Sequence, residues 1–120
     1  MQSGKVQNLS QRLLDFAAEV IKVVEKIIKC FVGRQIAGQL IRSSTSAGAN
    51  YEEACGAESR ADFIHKLQIV LKELRESLCW LRLIERAKLL SKQDLGQIIQ
   101  DAQELANIIG KSIVTARKNK

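Results

Sequence analysis

The chain has 120 residues, of which 46% are hydrophobic and 27% charged, which suits one domain with a packed core and argues against wholesale disorder. It contains no proline and only 4% aromatic residues, which argues against an all-β fold with many turns and favours long helices. The formal net charge of +6 favours polyanionic partners without identifying one.

The first predicted helix covers residues 9–30. Leu13, Phe16 and Val20 recur at three- and four-residue spacing, which is typical of one helix face. Gly33 follows, and a glycine after the last periodic residue is a common helix stop. We therefore expect the first connection at this glycine.

The second predicted helix covers residues 34–55, although its centre, RSSTSAGAN, has the composition of a loop. Ile36, Leu40 and Ser43 keep the helical phase into this stretch, which favours a continuous helix over a broken one. A phosphate-binding loop is excluded because neither a P-loop pattern nor GxGxxG is present. Because small residues let helices approach closely, the stretch is predicted to form a helix-packing seam. Its members are Ser43, Ala47, Gly48 and Asn50.

Two serines, each with an aspartate three residues later, mark the starts of the last two helices. This spacing resembles a capping box, in which the serine side chain bonds to the first turn of the helix. The third helix is predicted over residues 60–88 and the fourth over residues 92–116. The capping pairs are Ser59 with Asp62 and Ser91 with Asp94.

Short connections make consecutive helices antiparallel neighbours. The sequence therefore predicts an all-α fold, an antiparallel up-down-up-down four-helix bundle, in which residues 1–120 form a single domain. Residues 1–8 and 117–120 are expected to be loose. There is no N-terminal signal-peptide pattern, and no apolar run reaches the roughly 20 residues that span a membrane, so we expect a soluble, cytoplasmic protein without a membrane partner.

The third helix carries apolar residues on two faces. The main face is expected to pack into the bundle, and a helix that is apolar on a second side is usually buried there too. The second face predicts a contact between copies of the chain, with Trp80 as its anchor. The alternative is a broad bundle face that absorbs these side chains. The predicted oligomer interface comprises His65, Ile69, Glu76, Trp80 and Leu83.

Basic residues recur along the first, third and fourth helices at spacings that place them on helix faces. With the net charge, they predict contacts to the phosphates of RNA or DNA. The alternative is a solvated face with intrahelical pairs such as Lys22 with Glu25 or Lys72 with Glu76. The predicted nucleic-acid-binding residues are Lys22, Lys26, Lys29, Lys72, Arg75, Arg82, Arg86, Lys111, Arg117 and Lys118.

Catalytic or metal-binding chemistry finds little support. His65 is the only histidine, and no CxxC pair or obvious carboxylate cluster accompanies it, so we expect no metal, no cofactor and no small-molecule substrate. Cys55 or Cys79 with His65 is the one conceivable nucleophile–base pair. Cys30, Cys55 and Cys79 are instead expected to be reduced and to pack as small hydrophobic residues. The chain is predicted not to be an enzyme and to have no catalytic residues.

Three stretches resemble the bacterial four helix bundle protein family, also known as ribosomal-RNA intervening-sequence proteins. They are RSxTSxGANYxEA at residues 42–54, AESRADFIHKL at residues 57–67 and KExxExxxWL at residues 72–81. The resemblance covers about residues 9–115. The family is similar in turn to the accessory variability determinant of diversity-generating retroelements, a basic homopentamer that binds a reverse transcriptase and nucleic acid.

The resemblance implies a homopentamer without catalytic residues. Our leading hypothesis is a non-enzymatic, homopentameric accessory protein that binds RNA or DNA through basic helix faces. It would act either in association with ribosomal RNA or in a retroelement with a reverse transcriptase as its partner. The alternative is a protein–protein interaction module that does not bind nucleic acid directly.

Overall fold

The computed structural model describes residues 8–119. Four α-helices and no strand occur in this range: α1 spans Leu9–Val24, α2 Phe31–Cys55, α3 Arg60–Arg86 and α4 Lys92–Lys118. α1 and α3 each pack on α2 and α4, and they lie diagonally opposite each other. The prediction of an all-α four-helix bundle is confirmed.

Neighbouring helices run antiparallel. On the α1–α4 side, Arg12 pairs with Glu104 at 2.6 Å and Lys26 with Asp94 at 3.7 Å, so residue numbers rise along α1 as they fall along α4. The bundle measures 49 × 28 × 19 Å. Depressions lie between α1 and α2, between α1 and α4 and between α3 and α4, and ligands of helix bundles commonly bind between helices.

Aliphatic side chains from all four helices fill the core. Leu13, Leu40 and Leu74 are fully buried, and Leu105 is 1% exposed. Each buried leucine stabilises the fold by about 1.5–3 kcal/mol relative to an exposed one. The low aromatic content is therefore compatible with a well-packed interior.

α2 continues without a break through the serine-rich stretch, which confirms the predicted continuous helix. The hydroxyl groups there donate to backbone carbonyls within the helix, Ser44 to Ile41 at 3.2 Å and Thr45 to Ile41 at 2.8 Å. These bonds satisfy the hydroxyl groups without opening the helix, which explains how α2 tolerates poor helix formers.

The first connection differs from the prediction. α1 ends at Val24, six residues before residue 30, and α2 begins at Phe31, three residues before residue 34. Cys30 caps α2, since its Sγ accepts a hydrogen bond from the Gly33 backbone N–H at 3.3 Å. A Cβ on Gly33 would lie 1.7 Å from the Ile27 carbonyl oxygen. The glycine therefore permits a close approach inside the first turn of α2 instead of stopping α1.

α3 and α4 begin where the capping patterns predict. The Ser59 Oγ accepts from the Asp62 backbone N–H at 3.0 Å, and the Ser91 Oγ accepts from the Asp94 backbone N–H at 3.1 Å. Each bond satisfies an N–H group that has no partner within the helix. The serines therefore determine where both helices start.

The predicted chain ends are only partly described. α4 extends to Lys118, so Arg117 and Lys118 are helical and not loose. Asn8 caps α1 by accepting a hydrogen bond from the Ser10 backbone N–H at 2.8 Å. Residues 1–7 and residue 120 lie outside the described residues. α3 ends at Arg86, two residues before the predicted boundary.

Candidate nucleic-acid interface

A groove of about 570 Å³ lies between α3 and α4 on the surface of the bundle. We call it the arginine groove, because three arginines of α3 line it. Their spacing of seven and four residues places them on one helix face, about 10 Å and 6 Å apart along its axis. The lining residues are Arg75, Leu78, Cys79, Arg82, Leu83, Arg86, Gln103, Ala106 and Asn107.

Polar side chains of α4 face the arginines across the groove. The Arg82 Nη2 donates a hydrogen bond to the Gln103 Oε1 at 3.1 Å. Within residues 8–119, none of Arg75, Arg82 and Arg86 forms an ion pair with a carboxylate. Their positive charges are therefore available to an anionic ligand.

The floor of the groove is apolar. Leu78 and Ala106 are buried beneath it, whereas Leu83 and Cys79 are exposed beside the arginines. An apolar floor lowers the local dielectric constant, which strengthens the interaction of a charged ligand with the guanidinium groups.

Lys111 extends the positive charge along α4. A neighbouring depression shares Ala106 and Asn107 with the arginine groove and adds Gly110 and Lys111. A further depression contains Lys111 together with Arg60 of α3. The cationic surface therefore continues from the arginine groove towards the start of α3.

Two of the predicted lysines of α1 lie elsewhere and are paired. Lys22 contacts Glu19 at 3.3 Å, so its intrahelical partner is not the Glu25 considered from the sequence. Lys26 contacts Asp94 of α4 at 3.7 Å. Because α1 does not pack on α3, the structure does not bring these lysines into the arginine groove.

The remaining predicted basic residues are exposed at other positions. Lys29 lies in the turn after α1, and Lys72 lies one turn before the first arginine of the groove. Arg117 and Lys118 lie in the last turn of α4, where positive charge complements the helix dipole. Of the ten predicted side chains, only the three arginines line the groove itself, and Lys111 adjoins it.

The second apolar face of α3 contains a polar network with α2. Arg42 donates to Glu76 and, at 3.2 Å, to Glu73. The Trp80 Nε1 donates to the Glu76 Oε2 at 3.0 Å. The hydrogen bond from Arg42 lowers the pKa of Glu76, with a smaller contribution from Trp80, and raises the pKa of Arg42 itself. Glu76 and Trp80 are therefore held against α2 within a single chain.

The other members of the predicted oligomer interface differ in how far they are exposed. Ile69 is half-buried, His65 is exposed, and Leu83 is 43% exposed and also lines the arginine groove. Trp80 is half-buried and packs against the core. The prediction that this face contacts another copy stays a prediction.

The predicted seam lies between α2 and its neighbours. Ser43 and Ala47 are fully buried, and the Ser43 Oγ lies 2.8 Å from the Ser77 Oγ of α3. Gly48 faces α1, and a Cβ added to it would lie 3.8 Å from the Leu13 Cβ, an ordinary van der Waals distance. The Asn50 Nδ2 donates to a backbone carbonyl one turn earlier at 2.9 Å.

The three cysteines are all free and exposed, so the prediction that they pack as small hydrophobic residues is wrong. Each lies at a helix end or on an outward face, which hydrophobicity alone does not reveal. Cys79 and His65 lie fourteen residues apart on α3, which corresponds to about 21 Å along the axis. That separation does not bring the thiol and the imidazole into the hydrogen-bond reach that a nucleophile and its base require.

The α4 side of the groove was not predicted. Gln103 and Asn107 are uncharged, and only the packing of α4 on α3 places them opposite the arginines. Their four-residue spacing, continued by Lys111, is the one signal of a polar face in the sequence. Among residues 8–119, no group of three histidine, cysteine or acidic side chains is arranged to hold a metal ion.

Comparison with known proteins gives the ancestry of the chain. A family model described as 23S rRNA-intervening sequence protein matches residues 6–111. The chain belongs to this family. A crystal structure of a protein of unknown function from the S23 ribosomal protein family of Bacteroides thetaiotaomicron VPI-5482 is 35% identical, with a TM-score of 0.81. The similarity covers 88% of this chain and 98% of that one. No curated protein matches the chain.

Membership of the 23S rRNA-intervening sequence protein family confirms the resemblance seen in the sequence. Neither description names a catalytic activity, so the prediction that the chain is not an enzyme stays a prediction. Within the described part of the chain, no helix is both long and apolar enough to cross a bilayer.

Proposed function

We propose that this member of the 23S rRNA-intervening sequence protein family is a non-enzymatic accessory protein that binds nucleic acid in the arginine groove. The observation that carries the proposal is the set of three groove arginines, none of them paired with a carboxylate within residues 8–119. Arginine suits this role because its planar guanidinium group binds phosphate through two hydrogen bonds.

Binding would be driven by charge and be tolerant of sequence. Each arginine that neutralises a phosphate releases a condensed counterion, so affinity falls as the salt concentration rises. Gln103 and Asn107 add hydrogen-bonding groups that fit sugar and phosphate oxygens. The groove contains no aromatic side chain on which a base stacks, which favours contact with the backbone over base reading.

Several copies would strengthen a modest individual site. In the homopentamer implied by the resemblance, five grooves act on one polymer, and each additional contact is intramolecular. Such an assembly fits an accessory role beside ribosomal RNA or beside a reverse transcriptase on its template. The proposal assigns the nucleic-acid contact to the groove and leaves catalysis to the partner.

Fluorescence anisotropy with a labelled 20-nucleotide RNA, and with DNA of the same sequence, tests the proposal. The groove variant Arg75→Gln/Arg82→Gln/Arg86→Gln should bind more weakly than wild type. It should also reduce the magnitude of the slope of log affinity against log salt concentration by about 2 to 3, because each lost phosphate contact contributes about 0.7 to 0.9 to that slope.

The matched control removes the same charge elsewhere, through Lys22→Gln/Lys26→Gln/Lys29→Gln on α1 and the turn after it. It should keep most of the salt dependence of wild type. Equal losses in both variants would contradict a groove-specific site. If the wild type binds neither RNA nor DNA at about 50 mM salt, a range in which phosphate-contacting proteins bind strongly, the interaction-module alternative is favoured.

A further inference from the structure

A second depression, of about 540 Å³, lies where the start of α3 meets the end of α4. We call it the phenylalanine depression, because Phe63 lines it. Phe63 is half-buried and packs on the core, and Ile108 and Ala116 of α4 add apolar surface beside it. The remaining lining residues are Arg60, Lys111, Ser112, Thr115 and Asn119. A mostly apolar lining with a few polar groups is typical of a site for a small ligand or for part of a larger one.

The positive charge at this depression is not neutralised. Arg60 is exposed, and its Nη1 donates a hydrogen bond to the Ala116 carbonyl oxygen at 2.9 Å, which joins the guanidinium group to the end of α4. Within residues 8–119, neither Arg60 nor Lys111 forms an ion pair. Both charges are therefore available to an anion, and the Phe63 ring lines the same depression.

The phenylalanine depression is connected to the arginine groove over the surface of α4. The depression between them shares Ala106 and Asn107 with the arginine groove, and it shares Lys111 and Thr115 with the phenylalanine depression. Asn107 and Thr115 are eight residues apart, about 12 Å along the helix axis. This span corresponds to about three or four nucleotides at the ~3.4 Å spacing of a helical strand. A strand held in the arginine groove therefore reaches Phe63 by crossing α4 at Lys111.

An aromatic ring beside unneutralised cations fits an unpaired base. Each base has a π-face that stacks on an aromatic side chain, and the phosphates on either side of it are attracted to the cations. In a duplex the bases are stacked on one another, so their faces are not available to a protein side chain. The arginine groove contacts phosphates, which single strands and duplexes both present. Phe63 is therefore the feature that distinguishes between them.

We propose that the phenylalanine depression stacks an unpaired base of a single-stranded nucleic acid whose phosphates lie in the arginine groove. This inference rests on the proposed nucleic-acid binding and names its substrate class, a single strand. Because every base has a π-face, the contact adds affinity for single strands without reading their sequence. The arginines supply the salt-dependent part of binding, and Phe63 supplies a part that does not depend on salt.

Fluorescence anisotropy with three labelled 20-nucleotide DNA ligands tests the stacked base. They are a single strand, the same strand in a blunt duplex, and an abasic strand with the same number of phosphates. Phe63→Leu keeps an apolar side chain but removes the ring. It should bind the single strand about fivefold or more weakly than wild type, the loss expected when a stacking aromatic is replaced. It should bind the abasic strand and the duplex as wild type does, because neither presents a base to stack.

Further measurements separate stacking from a structural role. Phe63→Leu should leave the slope of log affinity against log salt concentration unchanged, whereas the groove variant reduces its magnitude. Phe63→Trp keeps a ring and should retain the wild-type preference for the single strand over the abasic strand. Tyr51→Leu is the matched control, since it removes a half-buried ring of α2 that lines neither the arginine groove nor the phenylalanine depression. It should bind all three ligands as wild type does.

A Phe63→Leu variant that binds the single strand as tightly as wild type would overturn this inference. So would equal losses for the single strand and the abasic strand, since the ring would then act on the fold and not on a base. In both cases weaker binding by the groove variant would still support the arginine groove. If the groove variant binds as wild type does, or if the wild type binds no nucleic acid, the proposed function fails and this inference fails with it.

Discussion

Lys88 ends α3 in the left-handed backbone region, with φ of 59°. The Leu89 backbone N–H donates to the Ile84 carbonyl, and the Lys88 backbone N–H donates to the Glu85 carbonyl. This is the Schellman arrangement, in which glycine is the preferred residue at the position of Lys88. A residue with a side chain destabilises the folded state by about 1–2 kcal/mol in this conformation. Replacing it by glycine removes that strain, but part of the gain is offset because glycine has greater conformational freedom in the unfolded chain.

We therefore expect Lys88→Gly to raise the free energy of unfolding by about 0.5–1 kcal/mol. Urea denaturation measures the change. Lys88→Ala is the control, because it removes the same long side chain but keeps the Cβ that opposes this conformation. A gain of equal size in both variants would show that lost charge, and not backbone strain, is responsible.

Glu76 predicts a dependence of stability on pH. Its pKa is lowered from an ordinary 4.5, first by the hydrogen bond from Arg42 and then by that from Trp80. The folded state therefore binds this proton less tightly than the unfolded chain does. The stabilisation is present above the unfolded pKa and is lost as the pH falls through the lowered pKa of the folded state.

Glu76→Gln should consequently be less stable than wild type at pH 6, and the difference should shrink as the pH falls below the ordinary carboxyl pKa of 4.5. Urea denaturation at each pH measures it. In the Arg42→Gln background the pH dependence of the difference should be much weaker. A difference that stays constant with pH would contradict the assigned role of this carboxylate.

Helices α2 and α3 meet at a buried hydroxyl pair. The Ser43 Oγ lies 3.3 Å from the Leu40 carbonyl oxygen and 2.8 Å from the Ser77 Oγ, and the arrangement that satisfies both hydroxyl groups has Ser77 donating to Ser43 and Ser43 donating to Leu40. Both side chains are fully buried. Removing Ser43 therefore leaves Ser77 without a partner, whereas removing Ser77 leaves Ser43 bonded to its own helix.

Ser43→Ala should lower the free energy of unfolding by about 1–2 kcal/mol, since an unpaired buried hydroxyl group costs about 1–3. Ser77→Ala should cost less. The double variant should be more stable than Ser43→Ala alone, because two apolar groups replace a broken pair. A double-mutant cycle in urea measures the coupling, and additive effects would show that the pair contributes nothing.

The four elements could largely be predicted from periodicity and capping residues. The serines that cap α3 and α4 placed both starts correctly, and the phase of Leu40, Ser43 and Ala47 showed that α2 is continuous. The end of α1 could not be predicted, because it depends on a contact between two segments. Gly33 looked like a stop, yet its role is to admit the Ile27 carbonyl oxygen.

At the scale of the whole molecule, the surfaces on the two sides of α4 differ in charge. The arginine groove lies on the α3 side, and a depression of about 230 Å³ on the α1 side contains Asp15, Glu19 and Asp101 with Arg12. The spacing of basic residues predicted the arginines of the groove. The sequence did not show that the α1 lysines lie away from the arginine groove, because this follows from the diagonal positions of α1 and α3 in the bundle.

This charge distribution predicts how ionic strength affects RNA binding. The Debye length is about 8 Å at 0.15 M salt and about 30 Å at 0.01 M, whereas the bundle is 19–28 Å across. Neutralising the acidic side with Asp15→Asn/Glu19→Gln should therefore leave affinity unchanged within about twofold at 0.15 M, because charges on the α1 side are screened from a ligand in the groove. At 0.01 M the same variant should bind several-fold more tightly, since the Debye length then exceeds the width of the bundle and the acidic charges are no longer screened from the groove. Anisotropy at both salt concentrations measures the effect, and a large gain at 0.15 M would instead place the bound strand on the α1 side of α4.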